Sequence, residues 1–469
     1  MALSIEQNPL YTLNPVGQEV IFTVSDLTTV AAYFNVKYVA EVHISTVDID
    51  LNTSVAIGTF KTTPNNTGVG MYDFRPILES FVSPDNLAAL GSEYKGAATT
   101  AIKTHPLHLV DKYSLNDNVV RYLKIRFTIE GSTTATGTVA QVGAEEDSVQ
   151  YTLINGYLKY TDVINRDATG NFGFNTEIFQ LGGGATGNQL LTNAPTTQYA
   201  NINDYGTLSF MTTPKAGYVA NTTLDYFKIK LYDDSGSLLG TDIIIDNVDA
   251  NGGNTTWDSD TKNQLLHLGC FPANLKNWSS IFLANTTNLS YYLVEAFNSS
   301  DASISDRYTI YINCPTLKGY EPIRLTWLNQ WGVWDYYTFT MKSTKSLTTN
   351  RTTYTQMSGT WNDSTYRING FKGGKKNFRV NSTERITVNT DFVTEADAVW
   401  FEELINSQEV YVLNGYETET APYNTMTNKY VEPILITSSN YIRKTIANDK
   451  LIQYTFEMER NKTQKTQTS

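Results

Sequence analysis

The chain has 469 residues, of which 41% are hydrophobic, 12% aromatic and 17% charged, with a formal net charge of −12. At roughly 150 residues per domain the length fits two to four domains, each able to bury a core, and the apolar content excludes a disordered polymer. The acidic balance, with a pI of about 4.9, disfavours a sequence-specific nucleic-acid binder and an anionic membrane surface, since both select basic footprints.

No run approaches the roughly 18 apolar residues of a membrane-crossing helix. The opening MALSIEQNPLYTLNP lacks a basic segment followed by an apolar one, so it reads as a chain without an export signal. Two cysteines, Cys270 and Cys314, make no disulfide framework; two buried free thiols are the expectation for a protein made in a reducing cytoplasm. Thr, Asn and 30 Tyr take the place of charge. That composition suits strands, polar loops and uncharged contact surfaces.

Val36, Tyr38, Ala40, Val42 and Ile44 alternate with Lys37, Glu41 and His43, with Val39 on the polar side. Period-two alternation predicts a half-buried strand. A helical turn is expected over Pro76 to Phe81. Leu123, Ile125, Phe127 and Ile129 then alternate with Lys124, Arg126, Thr128 and Glu130, a second strand. The small-residue segment GSTTATGTVAQVGA runs into Glu145-Glu146-Asp147, and this shift in composition places a boundary near residue 148. Asn155-Gly156, between two apolar runs, predicts a hairpin turn. So does Asp233-Asp234-Ser235-Gly236, which follows Phe227, Ile229 and Leu231 and precedes Leu238 and Leu239. After the strand RYTIYINC a second boundary falls near Thr316.

The segment IRLTWLNQWGVWDYYTFTMKS, residues 323 to 343, concentrates Trp327, Trp331, Trp334, Tyr336, Tyr337 and Phe339 around a turn with Gly332 at its centre. It reads as an aromatic hairpin. Trp327 and Phe339 are expected inside a sandwich. Trp331 and Trp334, beside the turn, are expected to point outward to a neighbouring segment or subunit, so that Trp331→Ala spares the fold and weakens assembly. Thr394 is placed to cap a helix over 394 to 405, with Glu395 and Asp397 in its first turn and Ala396, Val399, Trp400 and Leu404 on one face. A last strand alternates Ile452, Tyr454, Phe456 and Met458 with Gln453, Thr455, Glu457 and Glu459.

The fold class that follows is mainly β: multi-domain antiparallel β-sandwiches with one or two short helices. The expected domains are an N-terminal sandwich over 1–148, a second sandwich over 149–316, and a C-terminal β domain over 317–469 that carries the aromatic hairpin and the helix.

Residues that promise chemistry are sparse. The four histidines are His43, His105, His108 and His267; His105 and His108 form HPLH, whose spacing and proline do not suit a helical two-histidine metal face. GGGATGN, residues 182–188, has no following Gly-Lys-Ser/Thr. GFKGGKKN, residues 370–377, puts Lys376 where a phosphate loop needs a hydroxyl. Lys372, Lys375, Lys376 and Arg379 make a basic cluster that reads as a solvated turn or as a contact with an acidic neighbouring subunit. Asn247, Asp249, Asn251, Gly252 and Asp258 imitate the oxygen spacing of a calcium loop, but the first ligand is an amide and a strand, not a helix, precedes it. An Asx-rich loop is the expectation. No catalytic, cofactor-binding or metal residue is assigned, and the chain reads as not an enzyme.

WLNQWGVWDYYTFT resembles the WLNR-G-WDYYTF hairpin of virion proteins of tailed bacteriophages, especially crAss-like and related phages of Bacteroidota. PVGQEVIFTVSD, FNVKYVAEVHI and IGTFKTTPNNTGVGMYDFRPILESFVS are similar to the opening strands of the same family, INGYLKYTDVINRD and LLTNAPTTQYANINDYGTLSFM to its middle, and VYVLNG and VEPILITSSNYIRKTIANDKLIQYTFEMERN to its end. The resemblance implies a structural part of the neck or tail barrel between portal and tail, built as a ring of six or twelve copies. Its partners would be copies of itself, adjacent neck or tail ring proteins, and portal or tail-fibre proteins, in a virion assembled in the host cytoplasm. The alternative is a tail-tip or fibre-adaptor protein that uses the aromatic hairpin in host attachment. A tail-borne glycan hydrolase would need two carboxylates at a defined separation, which no motif here favours.

Overall fold

A computed structural model describes residues 3–83, 105–109, 112–116, 120–164, 174–181, 188–212, 224–246, 265–313, 319–360, 364–368, 370–413, 431–438, 440–442 and 452–461. The protein is mainly β, with 47% strand and 13% helix. It divides into two compact units. The first holds Met1–Asn313, Leu328–Tyr336 and Gly415–Thr427; the second holds Cys314–Trp327, Tyr337–Asn414 and Asn428–Ser469.

In the first unit the alternating strands behave as their sequences require. Phe34–Ser45 and Arg121–Ser132 pair antiparallel at the centre of a seven-stranded sheet. Leu123, Ile125, Phe127 and Ile129 are wholly buried, as are Tyr38, Ala40 and Val42. They face a three-stranded antiparallel sheet of Ser4–Gln7, Ile21–Ser25 and Val69–Asp73, and together the two layers form one apolar core. Phe22 sits at its centre, its ring 5.8 Å from Phe74 and 5.7 Å from both Phe127 and Tyr151. A short helix, Arg75–Leu78, follows with Pro76 in its first turn, and it buries Leu78.

Strand pairing does not break at residue 148. Tyr151–Ile154 pairs antiparallel with Arg121–Ser132 and parallel with Leu13–Pro15, and Tyr113–Asn116 pairs with Leu265–Leu268. Glu146–Asp147, where the composition suggested a linker or a long loop, is itself a short strand on Arg121–Ser132, where Arg126 binds Asp147 at 2.9 Å. The small-residue, acidic composition there marks a loop within a sheet, because small polar residues suit a tight return as well as they suit a linker. Asn155-Gly156 likewise does not close a hairpin. The Gly156 amide donates back to Ile154, the Tyr157 amide donates to Gln330, and the chain enters a helix at Tyr160–Ile164.

A second pair of sheets lies in the same unit. One has four strands in the order Gln180–Leu181, Leu208–Thr212, Leu265–Leu268, Tyr113–Asn116. The other has five, in the order Thr197–Asn201, Tyr308–Asn313, Tyr291–Asn298, Leu224–Tyr232, Ile243–Asp246. Phe227, Ile229, Leu231, Tyr292, Val294 and Ala296 turn one face of the five-stranded sheet inward, and Phe227 meets Phe210 at 4.8 Å. The 233–236 turn forms as expected: Asp233 accepts from the Ser235 and Ser237 amides, and Gly236 takes φ 79°.

A seven-stranded sheet, most of whose residues belong to the second unit, runs Trp334–Phe339, Ile323–Leu328, Val410–Leu413, Val431–Ile436, Thr455–Arg460, Gly374–Asn389, Thr344–Gln356. The Glu395–Asn406 helix packs on it. Thr394 caps this helix through a reciprocal pair with Asp397, whose carboxylate accepts from the Thr394 amide at 2.7 Å. Its buried side chains are Ala398, Trp400, Phe401, Glu403 and Leu404. Ala396 and Val399 are exposed. The larger Phe401 takes the core and turns the buried stripe away from the expected one. Trp327, fully buried, lies 5.0 Å from Trp400 and 6.4 Å from Phe401.

The aromatic hairpin is core along its whole length. Trp331 and Trp334 are each 2% exposed, which corrects their outward placement, and of the two expected contacts, a neighbouring segment or a subunit, Trp331 makes the first. Trp331 packs in the first unit on Phe179, at 4.4 Å between ring centroids, and on Phe174, within a cluster that includes Leu13 and Ile154. The turn is fixed by Asn329, whose side-chain oxygen accepts from the Trp331 and Val333 amides while its own amide donates to Leu191. Gly332 takes φ 74°, and a Cβ there would fall 1.7 Å from the Asn155 carbonyl oxygen. Truncating a buried tryptophan costs about 3–5 kcal/mol. Trp327→Ala and Trp331→Ala are therefore both expected to lower stability by that amount, measured as the shift in urea-unfolding free energy; an unchanged midpoint for Trp331→Ala would restore an outward role for that ring.

Candidate functional site

The five-stranded sheet of the first unit buries one face and leaves the other to solvent. On the outward face four tyrosines from four strands come into direct cross-strand register. Tyr199 pairs with Tyr311, Tyr311 with Tyr291, and Tyr291 with Tyr232. Their ring centroids are 5.6, 5.2 and 5.0 Å apart, at interplanar angles of 27°, 35° and 7°. Tyr199 is 56% exposed and Tyr311 36%, while Tyr291 and Tyr232 are half-buried. Beside this row Tyr226 stacks on Phe297 at 5.7 Å and 9°.

Charges on the face are neutralised locally. Lys228 reaches Asp301 and Asp242, and its ammonium lies 4.3 Å from the Phe297 ring centroid. The Asp301 hydrogen bond pulls the Lys228 pKa upward and, with the Tyr226 hydroxyl, holds Asp301 below the usual carboxylate range. Glu295 binds Arg307 at 3.3 Å.

Geometry decides what such a surface can do. The rings stack on one another, so the inner ones present edges and hydroxyls outward, not free faces. A sugar or nucleobase needs an open ring face to stack on. A protein surface is served by rigid, amphipathic tyrosines with little side-chain entropy to lose. The site is thus a sheet face with an aromatic row and mostly paired charges, a composition that suits a protein contact.

The sequence had pointed elsewhere. With Trp327, Trp331 and Trp334 all buried, the hairpin has no ring face open to a glycan. His105 begins a 3-10 turn over Pro106–His108, its Nδ1 accepting from the Leu107 amide, and lies 5.7 Å from the Trp334 ring. His43 lies in Phe34–Ser45, the strand expected for it, and His267 lies in Leu265–Leu268. Lys372, Lys375, Lys376 and Arg379 lie at the far end of the Thr344–Gln356 and Gly374–Asn389 pair, where Lys376 donates to the Phe371 carbonyl and the Lys372 ammonium sits over the Phe371 ring. Cys270 is a buried free thiol, its pKa pushed up to about 12 by burial. Cys314, the 247–258 loop and residues 182–187 lie outside the described residues. Among the described residues no helix is long and apolar enough to cross a membrane.

One pair has the composition of a nucleophile and its base. The Ser209 hydroxyl lies 2.7 Å from His267 Nδ1 across adjacent strands. Both side chains are buried, at 2% and 1% exposure, and burial pushes His267 down to about 3. An imidazole of that basicity is far from the near-neutral value a general base needs at pH 7. The pair serves packing between strands. No protein-family model matches the chain, and no curated protein matches it.

The buried histidines carry a pH signature. Burial holds His267 at about 3 and His105 at about 4, against an ordinary 6.5. Both are neutral in the folded chain and in the unfolded chain above pH 6.5. Below it the unfolded chain gains protons that the folded chain refuses, so stability falls with pH from about 6.5 towards 4. Unfolding free energy measured between pH 7 and 5 is expected to decline, and to decline less in His267→Gln; equal slopes would show that His267 is not held neutral.

Proposed function

We propose that this chain is a structural subunit of a tailed-phage virion and forms a multi-copy ring in the neck or tail barrel that joins portal to tail. The observation that carries the reading is the tyrosine row on the outward face of the five-stranded sheet, which has the chemistry of a protein contact. Tyr is enriched and Lys and Glu are depleted at such contacts, and only 17% of the residues here are charged. The segments similar to phage virion proteins, spread over nearly the whole length, supply the setting.

Ring building needs lateral contacts between copies and axial contacts to neighbouring rings. Contacts between unlike surfaces of identical subunits generate a ring when the rotation closes. An acidic exterior also suits a conduit for DNA, because it repels phosphate. The attachment reading drew on an open aromatic hairpin, and Trp327, Trp331 and Trp334 are buried.

The test is a symmetry-resolved reconstruction of the virion that carries the chain, joined to tyrosine variants. A closed ring between portal and tail is expected, with Tyr199 and Tyr311 in a protein contact. The double variant Tyr199→Ser, Tyr311→Ser is expected to fold with an unchanged melting temperature and to incorporate poorly into particles. A single copy at a fibre tip, or a ring in which these tyrosines face solvent, would overturn the proposal.

A further inference from the structure

The second unit carries a feature that its own core does not explain. Thr344–Gln356 and Gly374–Asn389 form an antiparallel ribbon of 13 residue pairs. Among the described residues the one other strand that Gly374–Asn389 pairs with, Thr455–Arg460, reaches just its base, at Arg385 to Asn389. No residue of Thr344–Gln356 is buried, and in Gly374–Asn389 only Ile386 and Val388, at that base, are buried. A strand of 13 residues spans about 40 Å. Most of this length is therefore a two-stranded ribbon open on both faces, and such a ribbon is marginal in water without a third strand or a packed partner.

Its far half is both apolar and basic. Tyr354, Met357, Tyr366, Ile368, Phe371 and Phe378 are between 42% and 77% exposed. Isolated apolar side chains on a surface are ordinary, but a cluster of this kind marks an interaction site. Residues 344–389 hold eight Lys and Arg against two acidic residues, a net +6. The rest of the chain holds 27 Lys and Arg against 45 Asp and Glu, a net −18.

We infer that the ribbon is a docking arm whose occupant is a second copy of this chain: its basic, aromatic end seats on an acidic surface of the neighbouring subunit. Charge complementarity selects that occupant. Copies with a net charge of −12 repel one another, and the arm is where one copy presents positive charge to the acidic remainder of the next. The exposed Met357 and Ile368 argue against duplex DNA as occupant, since its phosphates reward Lys and Arg and give nothing for aliphatic area. An arm landing on an unlike surface makes a heterologous contact. This inference rests on the multi-copy reading above and names the element that joins the copies.

The test uses the full-length chain, mixed in equal amounts as isotopically heavy and light protein. Zero-length carbodiimide coupling joins a lysine ammonium to a carboxylate only where the two touch. Heavy–light cross-links from Lys372, Lys375 or Lys376 to Asp or Glu of the other copy are expected. The triple variant Lys375→Glu, Lys376→Glu, Arg379→Glu alters two exposed side chains and the half-buried Lys376, which also gives up its bond to the Phe371 carbonyl; it is expected to fold and to lose association on the order of tenfold or more at low salt. Oligomers that form without cross-links at these lysines, and that the triple variant does not weaken, would overturn the arm and leave the multi-copy reading intact. A wild-type chain that stays monomeric at every concentration would overturn both. Duplex DNA bound by the wild type and released by the triple variant, with assembly unchanged, would make nucleic acid the occupant and overturn the inference.

Discussion

One-sided burial is the constraint on which the rest of this molecule depends. A strand with an apolar side and a polar side can pair in one register only, because a slip of one residue exchanges the two faces. In Arg121–Ser132 that rule places Leu123, Ile125, Phe127 and Ile129 at zero exposure and turns Lys124 and Arg126 the other way. The same rule holds from Tyr226 to Tyr232 and through Tyr291–Asn298, where buried and half-buried residues alternate. Once the inward positions have fixed the register, the outward ones are free to carry other chemistry. The tyrosine row occupies such outward positions.

Strands and helix were legible because each is announced by its own local period. Phe34–Ser45, Arg121–Ser132 and the Thr394-capped helix could be read from a dozen residues apiece. What failed was information that is not local. Trp331 sits in a turn, and turns usually lie at the surface, but Phe174, Phe179 and Leu13 come from far along the chain to cover it. Asn155-Gly156 has a hairpin's residues without a hairpin's returning strand. The tyrosine row is the plainest case. Tyr199, Tyr232, Tyr291 and Tyr311 are each an unremarked outward residue, and only the register between four strands aligns them. Thr344–Gln356 escaped for the opposite reason: a ribbon with no buried face has no hydrophobic period to detect.

Burial also explains why groups with chemical potential are silent here. Ser209 and His267 lie within hydrogen-bond reach, and a sequence reading that knew of their pairing would have flagged a dyad. Desolvation removes the basicity that such a dyad requires. Cys270 is quenched by the same cause acting in the opposite sense, since burial penalises the thiolate and reactivity belongs to the thiolate. A group needs solvent or a partner charge to react, and the sandwich interiors deny both.

The two exterior features differ in a way that bears on assembly. The tyrosine face is flat and its charges are neutralised by their own neighbours, so association through it would be driven by area and shape. The arm is narrow, extended and basic, so association through it would be steered by charge and weakened by salt. A subunit with a single self-complementary patch stops at a dimer, because the contact satisfies both copies at once. A subunit whose arm fits an unlike surface leaves its own acceptor free for the next copy, and each addition creates the site for another. In the ring proposed here the arm would carry growth from copy to copy, and the tyrosine face would make a contact of different character.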